Sequence, residues 1–412
     1  MERTVVIGGG AAGMMASIRN ARAGYPVILL EKNEKLGKKL FITGKGRCNL
    51  TNACDVSDLF SNIVTNPKFL YSSFYGFSNQ DTIDFFESLG LPVKTERGGR
   101  VFPVSDKSSD VIRCLENECR RLRVNIRLRT RASRLIMKNG QIRGVALENG
   151  ETIEAARVVL ATGGLSYPST GSTGDGYKMA KQAGHSVTEL RPSLTGMHIR
   201  ENAAGMMQGL TLKNVEAAIR RAGSAKCCFQ EFGEILFTHY GVSGPVILSA
   251  SSKIGDLLKT GEYQLHIDLK PALGREQLKK RIIRDFEDFG GQSLKNAMAH
   301  LLPKSMVPVF IETCGLNPSG RADQITREER TRLIEGMKDF TLTLDGLRSF
   351  DEAIVTKGGV RTDEVDPQTM ESKLVKGLYL AGEILDLDAL TGGYNLQIAW
   401  STGYAAGCPI LK

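Results

Sequence analysis

The 412-residue chain has eight cysteines but no C-x-x-C pair, and no cysteine or histidine spacing that suits zinc. A thioredoxin-like dithiol and a structural metal are therefore not expected, and Cys227–Cys228 are neighbours in a geometry that rarely bridges. Histidines number five, and none follows His300. No apolar run approaches the roughly 20 residues that cross a bilayer. The opening MERTVVIGGG enters a strand pattern directly, without the charged and apolar regions of a signal peptide. These absences set aside membrane partners and lead to the expectation of a cytoplasmic protein with free thiols. Aromatic residues make up only 7% of the chain.

What is present begins with the first forty residues. RTVVIG is a short β-branched strand, and Gly8, Gly10 and Gly13 form G-x-G-x-x-G between it and the helical pattern AAGMMASIRNARAG. Gly8 permits the tight turn, Gly10 the approach of a pyrophosphate, and Gly13 close helix–strand packing. The helix N-terminus favours phosphate charge. PVILL then runs to Glu31, 18 residues after Gly13, where a carboxylate accepts hydrogen bonds from ribose hydroxyls. An acid there disfavours a 2′-phosphate, so NADP is a poor occupant of this site.

Two later runs, RVVLATGG and GLYLAGE, have strand length and end in glycine turns, as central strands of an open α/β sheet do. Thr162, Gly163 and Gly164 end the first; Gly382 and Glu383 end the second, where Glu383 can bind a ribityl chain. Gly392–Gly393 then open a helix near Asn395, whose partial positive charge of about half a unit suits the N1–C2 carbonyl edge of a flavin. FAD is thus the expected dinucleotide. The fold class expected is α/β: a Rossmann-like FAD-binding domain, 1–189 plus 346–412. It is split by an antiparallel β-rich substrate domain, 190–272 plus 338–345, carrying a small helical subdomain, 273–337. The arginine-rich VNIRLRTRASRLIM reads as a strand with one solvated face.

On the stretches VIGGGAAGMMA, EKNEKLGKKLFITGKGRCNLTN, VVLATGGLSYPSTGSTGDGY, GEILFTHYGVSGPVILSAS, TKGGV and TMESKLVKGLYLAGEILDLDALTGGYNLQIAWSTG, the chain resembles the BaiN-like (YhiN-like) family of bacterial flavoproteins, in the glutathione-reductase-type superfamily. The resemblance spans nearly the whole chain. It implies non-covalent FAD, a split flavin domain and redox chemistry on a small organic molecule. It also extends the expected cofactor contacts to Ala12, Lys32, Lys39, Ala132, Tyr394, Asn395, Gln397 and Gly393. Cys48 and Cys54 lie where superfamily members carry a redox C-x4-C, but their spacing is C-x5-C, no C-terminal histidine follows, and no second G-x-G-x-x-G marks an NADPH domain. The loop is expected to wrap the cofactor through Gly44, Gly46, Arg47, Cys48 and Asn49, with Arg47 offering charge to phosphates or the flavin rim.

Tyr167 and the Gly171–Gly176 run are expected on the substrate side, with a plain turn-rich connection as the alternative. His239 is a candidate proton carrier, weighed against a buried structural histidine. The leading function is an FAD-dependent oxidoreductase, an NAD(P)H-linked reductase of a conjugated, bile-acid- or steroid-like ketone. An oxygen-using amine oxidase acting on an aminoketone is the alternative. A flavin-dependent tRNA-modifying enzyme is third: the formal charge of +9 favours it, while the scarcity of aromatics and the absence of aromatics between the arginines argue against nucleic acid. A non-catalytic redox sensor has no partner module to support it. Oligomeric state is not legible.

Overall fold

Short runs of valine, isoleucine and leucine, buried on both faces, build a parallel sheet, as such runs do when helices cover both sides. In the computed structural model, which describes residues 3–289 and 291–407, the strands are β1 (Thr4–Ile7), β2 (Val27–Leu30), β3 (Asn125–Arg127), β4 (Arg157–Leu160) and β5 (Leu378–Leu380). Their order is β5-β4-β1-β2-β3, every neighbour parallel. Helix α1 (Ala11–Arg22) follows β1, and α2 (Tyr394–Ala406) crosses it. At that crossing a Cβ on Gly403 would stand 2.5 Å from the Ala12 carbonyl oxygen, so only glycine allows the two backbones so close.

The chain divides into two units, Met1–Ser193 with Phe350–Lys412, and Leu194–Ser349. The first holds the parallel sheet and small antiparallel sheets beside it. The arginine-rich segment is not one strand. Arg129, at φ 51°, turns the chain between β3 and the strand Ala132–Lys138, which belongs to a different sheet. Its arginines are paired: Arg127 with Glu151, and Arg131 with Glu148 and Asp175.

The second unit is a closed six-stranded barrel of antiparallel neighbours. Helices Arg275–Asp288, Leu294–Met298, Val307–Thr313 and Arg327–Lys338 lie between its last two strands in sequence, Tyr263–Asp268 and Phe340–Leu347. Leu278, Ile282, Phe310 and Leu333 from these helices share one apolar cluster with Ile219, Leu265 and Leu342 of the barrel. The helical stretch therefore adds to the barrel's core and has no separate one.

Candidate cofactor site

Sheet register puts four carboxyl-terminal strand ends on one edge. Gly8 N–H donates to the Leu30 carbonyl (2.8 Å), Ala161 N–H to Ile7 (2.9 Å) and Ala381 N–H to Leu160 (3.0 Å). Gly8, Glu31, Thr162 and Gly382 thus follow the strands side by side, where open α/β sheets hold ligands. Gly8 has φ 108°, and a Cβ there would lie 2.3 Å from the Ala161 oxygen; a Cβ on Gly13 would lie 1.8 Å from the Gly8 oxygen. Gly10 differs, because a Cβ there would meet nothing within 4 Å. It caps α1 without a side-chain bond, and no acid sits in the helix's first turn. The amides at that end face open space with their partial positive charge unspent.

Glu31 is buried at the end of β2. Its Oε2 accepts from Gly9 N–H (2.8 Å) and its Oε1 from the amide and side chain of Asn33 (both 2.8 Å). Lys32 donates to Thr173 (2.5 Å) and Asp175 (2.8 Å), and Asn33 Nδ2 donates to the Thr170 carbonyl (3.0 Å). A groove of about 720 Å³ opens here, lined among others by Lys32, Asn33, Arg131, Pro168 and Gly171. Ala132, next to Arg131, is buried and paired with Leu147. The Gly171–Gly176 run, expected on the substrate side, is thereby tied to the Glu31 end.

Further along the edge, Lys39 Nζ lies 2.9 and 2.6 Å from the two Glu383 oxygens and 2.6 Å from Ser166 Oγ. Glu383 also accepts from Ser166 Oγ (2.8 Å) and Thr356 N–H (2.8 Å). A Cβ on Gly163 would come within 3.8 Å of Glu383, and one on Gly164 within 2.4 Å of Thr356 Oγ1. Sequence reasoning missed Asn33, Ser166 and Thr356. Asn33 had a local signal, a side-chain amide two residues past the acid; the other two are joined only by the fold.

The second helix end is α2. Gly393, at φ 102°, caps it without a side chain, and a Cβ there would sit 2.4 Å from the Thr51 carbonyl oxygen. The first intrahelical bond runs from Gln397 N–H to Gly393, so the amides of Tyr394, Asn395 and Leu396 have no partner within the helix. Two expected ligands on this helix face elsewhere with their side chains. Gln397 is buried, accepts from Thr51 and Thr82 and donates to the Phe77 carbonyl and Ser401, which uses all its bonding capacity on protein. Asn395 staples the preceding loop through Ala389 and Leu390.

The loop Thr43–Gly46 has left-handed backbone at Gly44, Lys45 and Gly46, and Cys48 follows at φ 61°. Arg47 does not offer its charge to a phosphate. It pairs with Glu96 (2.5 Å) and Asp106 (2.6 Å) and stacks over Phe102 at 4.1 Å. Cys48 is buried, which pushes its thiol up to about 12, and Cys54 is also raised by burial. Neither is a thiolate at neutral pH, so the loop's chemistry is not that of a redox dithiol.

The residues present fit a flavin dinucleotide. Beyond the open space at Gly10, Thr162 Oγ1 and Asn49 Oδ1 are buried without a hydrogen-bond partner on this edge, an arrangement that a polar ligand satisfies. Tyr167, one residue past Ser166, is held at φ 52°, an uncommon backbone for a bulky residue, and burial raises its phenol above the ordinary value. His239 belongs to the barrel unit. It is exposed, contrary to the buried structural alternative, with its ring 5.0 Å from that of Tyr240. Tyr240 in turn lies under the Arg348 guanidinium at 4.2 Å. Among the described residues, no cluster suits a metal and no helix is long and apolar enough to cross a membrane.

Residues 2–408 match the model of the HI0933-like protein Rossmann domain. The chain belongs to the HI0933-like family. This HI0933-like chain is 35% identical to the 3-dehydro-bile acid delta(4,6)-reductase of Clostridium scindens, over 99% of its own length and 98% of the relative's. It is 33% identical to the ribosomal RNA dihydrouridine synthase of Escherichia coli, over 98% and 97%. Among solved structures, 3-ketosteroid delta1-dehydrogenase from Sterolibacterium denitrificans superposes with a TM-score of 0.55 at 13% identity, covering 98% of each chain, which is a likeness of fold. The BaiN-like resemblance and the Rossmann-type fold with its barrel insertion hold, and the chain is an FAD-dependent oxidoreductase.

Proposed function

We propose that this HI0933-like chain reduces a carbon–carbon double bond conjugated to a carbonyl, and that its substrate is a uracil ring in RNA. One observation carries the reaction class: relatives of nearly equal identity act on unlike molecules through the same bond change. Delta(4,6) reduction of a 3-dehydro bile acid and formation of dihydrouridine each add hydride and proton across an alkene in conjugation with a carbonyl. RNA is favoured as substrate by the formal charge of +9 and by the two ribosomal RNA dihydrouridine synthases, at 33% and 30% identity, among the full-length relatives. This reverses the expectation that nucleic acid is not a partner.

FAD, when bound, supplies the hydride from its N5 position. The chain's residues do the rest. Glu31 and Asn33 anchor the ribose end, and the amides at the start of α1 hold the pyrophosphate. Glu383, kept in place by Lys39 and Ser166, takes a ribityl hydroxyl. The free amides at the start of α2 stabilise negative charge at the N1–C2 carbonyl edge. Tyr167 remains protonated through neutral pH because of its burial, and is the proposed donor of the proton to the carbon beside the carbonyl. Non-covalent attachment of FAD and NAD(P)H as the two-electron donor belong to the same proposal.

The second reading is an NAD(P)H-linked reductase of a bile-acid- or steroid-like conjugated ketone, favoured by the 35% relative. The test is anaerobic. NADH should bleach the flavin band at about 450 nm, and uracil-containing RNA should restore it with formation of dihydrouridine. Reoxidation by a steroid dienone alone establishes the second reading. A protein that NADH leaves oxidised but an aminoketone bleaches is an amine oxidase, which sinks both.

A further inference from the structure

We infer that the surface made by the short helix Lys38–Ile42, the turn after it and the facing segment around Val104 docks single-stranded RNA. This inference rests on the RNA reading above and locates its binding surface.

Three large apolar side chains are exposed together there: Phe41 at 47%, Ile42 at 39% and Val104 at 52%. Ser108 Oγ donates to the Phe41 carbonyl at 2.6 Å and ties the two segments into one surface. Leaving an aromatic ring in water gains nothing for the fold, so such a patch on an otherwise polar surface marks an interaction site. Its charge identifies the occupant. Lys35, Lys45 and Lys107 are exposed around it, and the Lys35 ammonium stands 5.3 Å from the Phe41 ring. The nearby acids are already neutralised. Glu34 is paired with Lys38 (3.4 Å), Asp106 with Arg47 and Lys94 (both 2.6 Å), and Asp110 with Arg113 (2.5 Å). What remains is an aromatic platform inside an uncompensated ring of lysines. Single strands bind such surfaces by stacking bases on the ring and phosphates on the cations.

A second exposed aromatic pair shows the contrast. Tyr71 and Tyr75, 50% and 67% exposed, lie against Phe60, whose helix carries the exposed Asp55 and Asp58. Those acids repel phosphate, with Lys68 the neighbouring cation. The Phe41 surface is also next in sequence to the loop Thr43–Gly46 expected to wrap the cofactor, so RNA seated on it is near the flavin-binding edge of its own unit.

The test uses FAD-loaded protein and a fluorescein-labelled single-stranded RNA containing uridine, read by anisotropy across a salt series. Phe41→Ala should weaken binding about tenfold, the loss of one stacked base. Lys35→Ala/Lys107→Ala should weaken it and flatten the log–log salt dependence by about one unit, since each phosphate contact on a single strand contributes about 0.7. Both variants should keep wild-type flavin content and bleach with NADH at the wild-type rate, which shows that the fold is intact. Wild-type binding that both variants match would overturn this surface and leave the RNA reading standing. A wild-type protein with no RNA affinity would overturn both. Variants that lose only binding to vesicles of anionic phospholipid, or only self-association in sedimentation, would assign the patch to a membrane or a second copy and overturn the inference.

Discussion

Lys39 and Glu383 stand 344 positions apart and meet as an ion pair, the Nζ 2.6 and 2.9 Å from the two carboxylate oxygens. The pair joins the start of the cofactor loop to the end of the last sheet strand. Both side chains are only partly exposed, so removal of one leaves the other poorly solvated. Lys39→Met should lower the unfolding free energy by about 1–3 kcal/mol, the usual result of stranding a hydrogen-bonded charge. Lys39→Met/Glu383→Gln should recover part of that loss, while either change weakens retention of FAD. Urea melts and fluorescence of released flavin measure the two effects. Additive losses in the double variant would show that the pair is not coupled.

Two glycines of one motif should behave in opposite ways. At Gly13 a Cβ would overlap the Gly8 carbonyl at 1.8 Å, so Gly13→Ala should fold poorly or not at all. At Gly10 the same Cβ enters open space, and the backbone has a negative φ of −85°. Gly10→Ala should therefore melt within about 0.5 kcal/mol of the wild type without cofactor, yet bind FAD at least tenfold more weakly. Unchanged FAD affinity would mean that the phosphates do not pass over Gly10.

The parts of the site that the sequence displayed are contiguous ones. Strand, glycine turn, helix and acid lie within Thr4 to Glu31, and each piece declares itself by its neighbours. The barrel was legible as alternating stretches, its closure was not, because pairing of the strand Met197–Ile199 with Phe340–Leu347 spans the whole insertion. Gln397 was misread for a reason of period. It lies four residues before Ser401 on the buried face of α2, so its amide turns inward to Thr51 and Thr82. Arg47 was misread because its partners, Glu96 and Asp106, arrive from a distant hairpin. A cation in a glycine loop looks free until the fold brings its acids.

The loop cysteines should be chemically quiet. Cys48 is buried with its thiol raised to about 12, as is Cys119. Cys227 is exposed. Iodoacetamide at pH 8 should label Cys227 in the native protein and spare Cys48 and Cys119, as peptide mass mapping reads directly. Cys54→Ser should leave bleaching of the flavin by NADH within about twofold of wild type, because no dithiol relays the electrons. A large loss in Cys54→Ser with intact flavin content would restore the redox-disulfide reading.

Stability should fall with acid through His185. This side chain is buried, with Nδ1 3.0 Å from Glu364 and Nε2 2.8 Å from Ser372 Oγ. Ser372 Oγ already accepts from the amides of Leu374 and Val375, so its proton goes to Nε2 and the ring's own proton, on Nδ1, goes to Glu364. The neutral imidazole completes the network. Burial lowers the His185 pKa below the ordinary 6.5, and Glu364 opposes this only in part. The sign follows: between the lowered folded value and about 6.5 the unfolded chain holds more protons, so stability rises with pH there. His185→Gln should cost about 1–2 kcal/mol at pH 7.5, and that difference should shrink as pH falls from about 6.5 toward 5. Urea melts of both proteins across that range measure it. A difference that grows with acid would mean that the folded protein holds His185 as an imidazolium against Glu364, and the neutral network would be wrong.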